Sequence, residues 1–283
     1  MMKERPDAMR RILLTGAAGA IGSVLAKQLP KENEIWRLND IKQLGEPGAD
    51  TIEHMSGDLT DYDFVLELCK DVDTIIHLAG QPKEGPWPSL LGPNIICSAN
   101  LWEAARVNDV KRIIYGSSNH VNGMYPTTSI LHGNESTRPD SRYGVTKVFG
   151  EGLASHYSDK HNISTFVIRI GSFQLKPRSL RELYTWISPR DMCALVRTGL
   201  EAKYRHAIVF GISGNSRSWY DNSLAFSLGY EPTDNSEEHV DCIANLVVDP
   251  ANPIDMLQGG GSSGREFEGD LPYLLNRMAA REL

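Results

Sequence analysis

Short apolar runs alternate with amphipathic stretches through the first 170 residues of the chain. RILLT, EIWRLND, TIEHM, DTIIHLAG, KRIIYGSS and STFVIRIGS read as strands, and segments between them such as ANLWEAARV carry apolar positions at helical spacing. This alternation predicts a parallel sheet with right-handed crossovers and helices on both faces. RYGVTKVFGE, Arg142 to Glu151, reads as one half-buried helix. After Gly171 the pattern changes to a polar, proline-containing loop, FQLKPRSLREL, then a helix starting near Pro189 and another buried strand, HAIVFGIS. These later pieces are expected to assemble a lobe that selects the ligand. The glycine cluster QGGGSSGRE, Gln258 to Glu266, reads as mobile, and LPYLLNRMAAREL after it as a terminal helix.

Composition narrows the class of partner. With 283 residues, 41% of them apolar and 23% charged, the chain can bury a full core, and its net charge of −7 argues against nucleic acid or an acidic membrane. Any anion it binds must be held by local groups. Cys69, Cys97, Cys193 and Cys242 are scattered without a CxxC pair, so neither a zinc site nor a disulfide framework is expected, and a reducing cytoplasm fits. The amino terminus MMKERPDAMRR lacks a hydrophobic signal core, and no segment reaches ~18 uninterrupted apolar residues, so neither export nor a membrane span is expected.

The first chemical signal follows the first strand. TGAAGAIG places Gly16, Gly19 and Gly22 as GxxGxxG with a helix beginning inside the motif. Positions without side chains let backbone amides approach a pyrophosphate, and the helix amino terminus adds partial positive charge. A dinucleotide is implied. The second strand ends in Asn39-Asp40, where a carboxylate accepts hydrogen bonds from both adenosine ribose hydroxyls and repels a 2′-phosphate, which favours NAD over NADP. Arg37 points elsewhere by strand alternation. Asp58, in SGDLTD, is placed either to meet the adenine edge or to cap a helix.

The fifth strand runs into YGSSNH, which puts Ser117, Ser118, Asn119 and His120 at the strand's carboxyl end, where open α/β sheets bind ligands. Farther on, Tyr143 precedes Lys147 by four residues, so phenol and ammonium share one helix face. With this Ser, Tyr, Lys order and YxxxK spacing, the chain resembles the extended short-chain dehydrogenase/reductases. The resemblance implies a Rossmann-type doubly wound parallel sheet with a small carboxyl-terminal substrate lobe. It makes Ser118, Tyr143 and Lys147 catalytic: Tyr143 as base, Lys147 on its phenolate and the nicotinamide ribose, Ser118 orienting the reacting oxygen. A phenol of pKa ~10 must be acidified for that role. An ammonium ~5 Å away contributes about 3 kcal/mol at an effective dielectric of ~20, and the cationic nicotinamide ring of the oxidised cofactor adds to this.

SSNH, RPDSRYGVTK, VIRIGS, LREL-TW, GISGNSRSWYDN, LGYEPTDNSE and LQGG resemble the uronate dehydrogenases over roughly residues 10 to 260. That family oxidises the anomeric carbon of glucuronate or galacturonate with NAD. The resemblance implies Gly16, Gly19, Ala20, Ile21, Gly22, Asp40, Asp58, Leu59, Leu78, Ala79, Gly80, Tyr143 and Lys147 on the cofactor. It implies Gln81, Ser118, Asn119, His120, Tyr143 and Ser172 on the sugar, and Arg181 on its carboxylate. The chain departs at Pro82, where the family offers a small hydroxyl residue. The loop QPKEGPW is more similar to that of NAD-dependent glucose-6-phosphate dehydrogenases, with Lys83, Lys176 and Arg178 adding positive charge. A 6-phosphorylated or 6-sulfonated hexose thus stays open beside a uronate, as does a nucleotide-sugar epimerase or dehydratase. Trp186, Trp219 and Tyr220 either wall the pocket or pack the core. Residues 10–172 with a strand near 206–212 are expected to form the dinucleotide-binding core, and 173–205 with 213–283 the lobe and tail. No metal is expected, and the chain is expected to form a homo-oligomer.

Overall fold

The computed structural model describes residues 9–244 and 247–279, so the start of the amino-terminal segment and the last four residues of the expected terminal helix lie outside the described residues. The six apolar runs form β1 (Arg10–Thr15), β2 (Glu34–Asn39), β3 (Ile52–His54), β4 (Thr74–His77), β5 (Arg112–Ser118) and β6 (Ser164–Ile170). β7 (Ser172–Phe173) and β8 (Trp186–Ile187) pair separately, and β9 (His206–Gly211) completes the main sheet. That sheet is parallel, in the order β3-β2-β1-β4-β5-β6-β9. The winding direction reverses between β1 and β4. A crevice opens at the carboxyl ends of strands at such a point, and ligands of doubly wound folds bind there.

Up to Glu201 the α-helices are α1 (Ala20–Gln28), α2 (Tyr62–Leu68), α3 (Trp87–Leu90), α4 (Cys97–Val107), α5 (Arg142–His161), α6 (Leu180–Thr185) and α7 (Pro189–Glu201). A π-helical turn, Leu91–Ile96, joins α3 to α4. Burial of both sheet faces explains the continuous apolar runs. Ile12 and Leu14 pack with Leu25 of α1 and Met192, Leu195 and Val196 of α7. Leu13 faces the other way, toward Val65 and Leu68 of α2, Leu101 and Trp102 of α4, and Ala154 and Tyr157 of α5.

Two expectations change. FQLKPRSLREL is not loop throughout: Ser179 caps α6 by accepting the Glu182 N–H at 3.3 Å, the Ser-x-x-Glu spacing of a capping box. Nor does the glycine cluster begin as a mobile link. Leu257, Gln258, Gly259 and Gly260 are all buried. The Gln258 side-chain amide donates to the carbonyls of Pro126 (3.0 Å) and Ser129 (2.8 Å), and its backbone N–H to Tyr125 at 2.9 Å. A helix follows at Leu271–Ala279. Among the described residues no helix is long and apolar enough to cross a membrane. Trp186, Trp219 and Tyr220 are core: Tyr220 stacks on Phe210 at 4.4 Å, Trp219 on Tyr184 at 4.5 Å, and none lines the ligand cleft.

His77, at the end of β4, gives the fold an acid sensitivity. Ser98 Oγ donates to the Asn94 carbonyl at 2.7 Å, so it accepts from His77 Nε2 (3.3 Å), and His77 Nδ1 accepts from Thr15 Oγ1 at 2.8 Å. The ring is thereby held neutral. Burial, reinforced by the Lys147 charge, depresses its pKa to about 3. The folded value lies below the unfolded value of ~6.5, so this stability is present above that pH and is lost as pH falls toward the folded value. His77→Gln should flatten the loss of urea stability between about pH 6 and 4, worth on the order of a few kcal/mol in the parent. Parallel acid limbs in parent and variant would rule this out.

Candidate active site

A cleft of ≈ 990 Å³ follows the carboxyl edge of the sheet from Asp40 and Asp58 to Ser172 and Arg181. Every residue assigned above to the cofactor or the sugar lines it, whereas Lys83, Lys176 and Arg178 do not. Its volume is at the upper end of the ~300–1,000 Å³ usual for ligand sites.

At one end, the β1–α1 turn is pressed against the β4 end. Gly16 has φ +73°, and a Cβ there would lie 2.8 Å from the Ala79 nitrogen; one on Gly22 would lie 2.1 Å from the Gly16 carbonyl oxygen. The turn is therefore limited to glycine for both conformation and space. Asp40 Oδ2 accepts the Ala18 N–H (2.9 Å) and Oδ1 the Lys42 N–H (3.0 Å), which fixes the carboxylate at the tip of β2. Arg37 is committed elsewhere, to Glu53 at 2.8 Å and to the Leu68 and Lys70 carbonyls. Asp58 lines the cleft and also caps a turn by accepting the Thr60 N–H at 2.9 Å.

At the middle of the cleft, β5 delivers Ser118 and α5 delivers Tyr143 and Lys147. Ser118 Oγ accepts the His120 N–H at 3.2 Å and shares a hydrogen bond with the Tyr143 phenol. Lys147 Nζ donates to the Gly116 carbonyl at 2.8 Å, 5.7 Å from the Tyr143 ring centroid and 5.2 Å from that of Tyr115. Burial lowers Lys147 to about 8, against the opposing charge of Glu151 one turn on. The expected acidification of Tyr143 by the protein's own groups does not occur. Burial pushes the phenol up to about 12, only partly offset by the Ser118 hydrogen bond, and Asp140 adds to the rise. Desolvation penalises the phenolate more than the ammonium, turned to Gly116, relieves it.

Several residues that complete this region were missed from sequence. Glu84 Oε2 accepts the Tyr143 N–H at 2.8 Å while its Oε1 pairs with Arg142 at 2.7 Å, tying the QPKEGPW loop to the start of α5. Asn94, in the π turn, accepts the Gln81 N–H at 2.7 Å and donates to the Gln81 carbonyl and Thr146 Oγ1. Asp140, whose side chain is 0% exposed, accepts from His120 Nδ1 at 2.7 Å, leaving Nε2 for a ligand. The one available signal was Asn94, a polar residue within the apolar run LLGPNIIC.

At the far end, Arg181 on the first turn of α6 donates from Nε to the Gln258 carbonyl at 2.7 Å and reaches Ser172 Oγ at 3.5 Å with Nη1. Its Nη2 is buried without a hydrogen-bond partner. Asn119 contacts the Tyr220 hydroxyl at 3.4 Å, and Ser172 Oγ lies 2.9 Å from Thr185 Oγ1.

Known proteins match along almost the whole chain. Residues 12–177 match the model of the NAD dependent epimerase/dehydratase family. The uronate dehydrogenase of Pseudomonas putida is 40% identical over 89% of this chain and 94% of its own length. The NAD-dependent glucose-6-phosphate dehydrogenase of Haloferax volcanii is 36% identical over 80% of this chain and 94% of its own. The structure of an Agrobacterium tumefaciens uronate dehydrogenase mutant complexed with NAD superposes with a TM-score of 0.85 at 39% identity, covering 90% of this chain and 97% of that one. By the family model and by these relatives, the chain belongs to the NAD dependent epimerase/dehydratase family.

Proposed function

We propose that the protein oxidises the anomeric C1 hydroxyl of a uronate, such as glucuronate or galacturonate, to the lactone with NAD as oxidant. The observation that carries this is Arg181, which lines the cleft that also holds Tyr143, Lys147 and the glycine turn and whose buried Nη2 has no hydrogen-bond partner in the protein. A buried N–H without an acceptor costs ~1–3 kcal/mol, recovered when an oxyanion takes it. Relatives of this chain named uronate dehydrogenase support the same activity.

The glycine turn and Asp40 fit NAD, because Gly16 and Gly22 have no room for a Cβ and Asp40 repels a 2′-phosphate. When bound, oxidised NAD supplies the nicotinamide that accepts the C1 hydrogen with its electron pair, and the positive charge of that ring. Tyr143 accepts the hydroxyl proton, held in place by Ser118. Lys147, anchored on the Gly116 carbonyl, provides the nearby cation. Asn119, Ser172, Gln81 and His120, the last oriented by Asp140, receive the sugar hydroxyls, while Arg181 takes the carboxylate and turns C1 toward Tyr143.

A monoanion suits this end better than a phosphate. Arg178 is engaged with Glu182 at 3.1 Å, and Glu182 itself lines the cleft beside Arg181. Pro82 lines the cleft too and offers no donor. The QPKEGPW loop and the Haloferax relative keep hexose 6-phosphate as the second substrate to assay. NADH formation should be compared across glucuronate, galacturonate, glucose 6-phosphate, sulfoquinovose and glucose, with NAD and NADP. The uronates should exceed the others in kcat/KM by about tenfold or more, with NAD preferred. Glucose equal to every anion would defeat the proposal.

Residues 10–172 with 206–212 then serve as the cofactor core and 173–205 with 213–283 as the substrate lobe, with α7 packed on the sheet. Exposed Leu91, Ile96, Val145 and Phe149 supply an apolar face for a homo-oligomer, and four unpaired cysteines suit the cytoplasm.

A further inference from the structure

We infer that Gln258 and Gly260 are positioning residues for Arg181 and so set selectivity for the anionic end of the sugar, an inference that rests on the function proposed above. Neither residue lines the cleft. Both are buried, in a segment none of whose glycines lines the cleft.

Three contacts carry this. The Gln258 carbonyl accepts Arg181 Nε at 2.7 Å, and Gln258 is itself pinned through its side-chain amide to the Pro126 and Ser129 carbonyls. Gly260 has φ 59° and ψ −127°, a conformation restricted to glycine. A Cβ at that position would stand 2.4 Å from Arg181 Cδ and 2.9 Å from Nε. With Nε held from behind and Nη1 at Ser172, the guanidinium is fixed at two nitrogens, and its third, Nη2, is buried with no partner in the protein.

An arginine side chain is rich in rotamers, and fixing it before the ligand arrives removes that entropy cost from binding. α6 sets only the backbone of Arg181; Gln258 and Gly260 set the direction of its fork. The same segment reaches the other polar contact of the sugar. A Cβ on Gly259 would lie 1.8 Å from Asp140 Oδ2, the carboxylate that orients His120, so the turn from 258 to 260 packs directly behind both groups. A side chain at Gly259 or Gly260 would displace Asp140 or Arg181.

The test compares Gly260→Ala with Gly261→Ala, whose added methyl meets nothing within 4 Å. Steady-state kinetics on glucuronate and on glucose, with saturating NAD, are read beside NAD affinity and the thermal midpoint. For Gly260→Ala the glucuronate KM should rise about tenfold or more with kcat within about threefold, while glucose kcat/KM and NAD affinity stay within about threefold. Gly261→Ala should match the parent. In an Arg181→Ala background, Gly260→Ala should add nothing to the glucuronate loss, because the two act as one unit. Equal losses on both sugars, a weakened hold on NAD, or additive effects in the double variant would overturn the inference. Should Gly260→Ala fail to fold, Gln258→Met carries the same comparison, since it removes the two amide anchors without adding an atom beside Arg181. A parent enzyme indifferent between glucuronate and glucose would instead sink the proposed function, whatever the variants do.

Discussion

Replacing Tyr143 by Phe should leave a protein that binds NAD as the parent does but forms NADH from glucuronate about 10³-fold more slowly or worse. The substitution removes one oxygen and keeps the ring, so the edge contact with His120 (6.0 Å between centroids) and the packing over Lys147 survive. The loss therefore falls on kcat. Its size is that of a lost general base, and the phenol, which burial pushes up from its ordinary value, must yield its proton before it can take one from the sugar. The sign of the pH dependence follows as well: the phenolate fraction rises as pH rises toward the raised value, so parent kcat/KM should increase with pH through the neutral range. The Phe variant should have no such limb. A variant that keeps the parent rate, or keeps the alkaline rise, would show that some other group takes the proton. NAD affinity, measured by fluorescence quenching or calorimetry, separates loss of chemistry from loss of fold.

Arg181→Ala should lower kcat/KM for glucuronate and galacturonate by about 10²-fold or more, mostly through KM, and should abolish the preference for an anion over glucose. In the function proposed above the guanidinium meets the carboxylate in a partly buried setting, where hydrogen bonds between charged groups are worth about 1.5–3 kcal/mol. Lysine should not restore the preference, since it cannot keep Nε on the Gln258 carbonyl and at the same time present a planar fork. If Arg181→Ala loses glucose and uronate activity alike, or loses neither, the carboxylate is held elsewhere. The thermal midpoint guards against a trivial answer, because Arg181 also bridges α6 to the buried segment at Gln258.

The parts of the site that were legible beforehand share one property: their geometry is local. The glycine turn, Asp40 at the end of β2, Ser118 at the end of β5 and the Tyr143–Lys147 pair each follow from spacings of a few residues within one strand, turn or helix. The capped start of α6 was local too, in the Ser179–Glu182 spacing, and was overlooked behind the proline that precedes it. What escaped detection joins distant segments: Glu84 to the Tyr143 N–H, Asp140 to His120, Asn94 to Gln81 and Thr146. Asn94 stands out as a polar residue in an apolar run, but Glu84 and Asp140 are ordinary polar residues whose neighbours along the chain say nothing about what they will meet.

The glycines after Gln258 make the contrast sharpest. In the chain they look like a flexible link, because glycine raises the freedom of an unfolded backbone. In the fold their missing side chains make room for Arg181 and Asp140, which come from far earlier in the chain. Tyr143 teaches the same lesson electrostatically, since four-residue spacing brought Lys147 near while burial raised the phenol instead of lowering it. Periodicity and spacing alone were enough for the parallel sheet, the glycine turn and the placing of Tyr143 and Lys147 on one helix face, because helix rise and strand pleat convert short separations into definite directions. The aim of Arg181, the ionisation of Tyr143 and the partners of His120 were decided by tertiary packing, which sets who is desolvated and who is touched, and no local pattern encodes either.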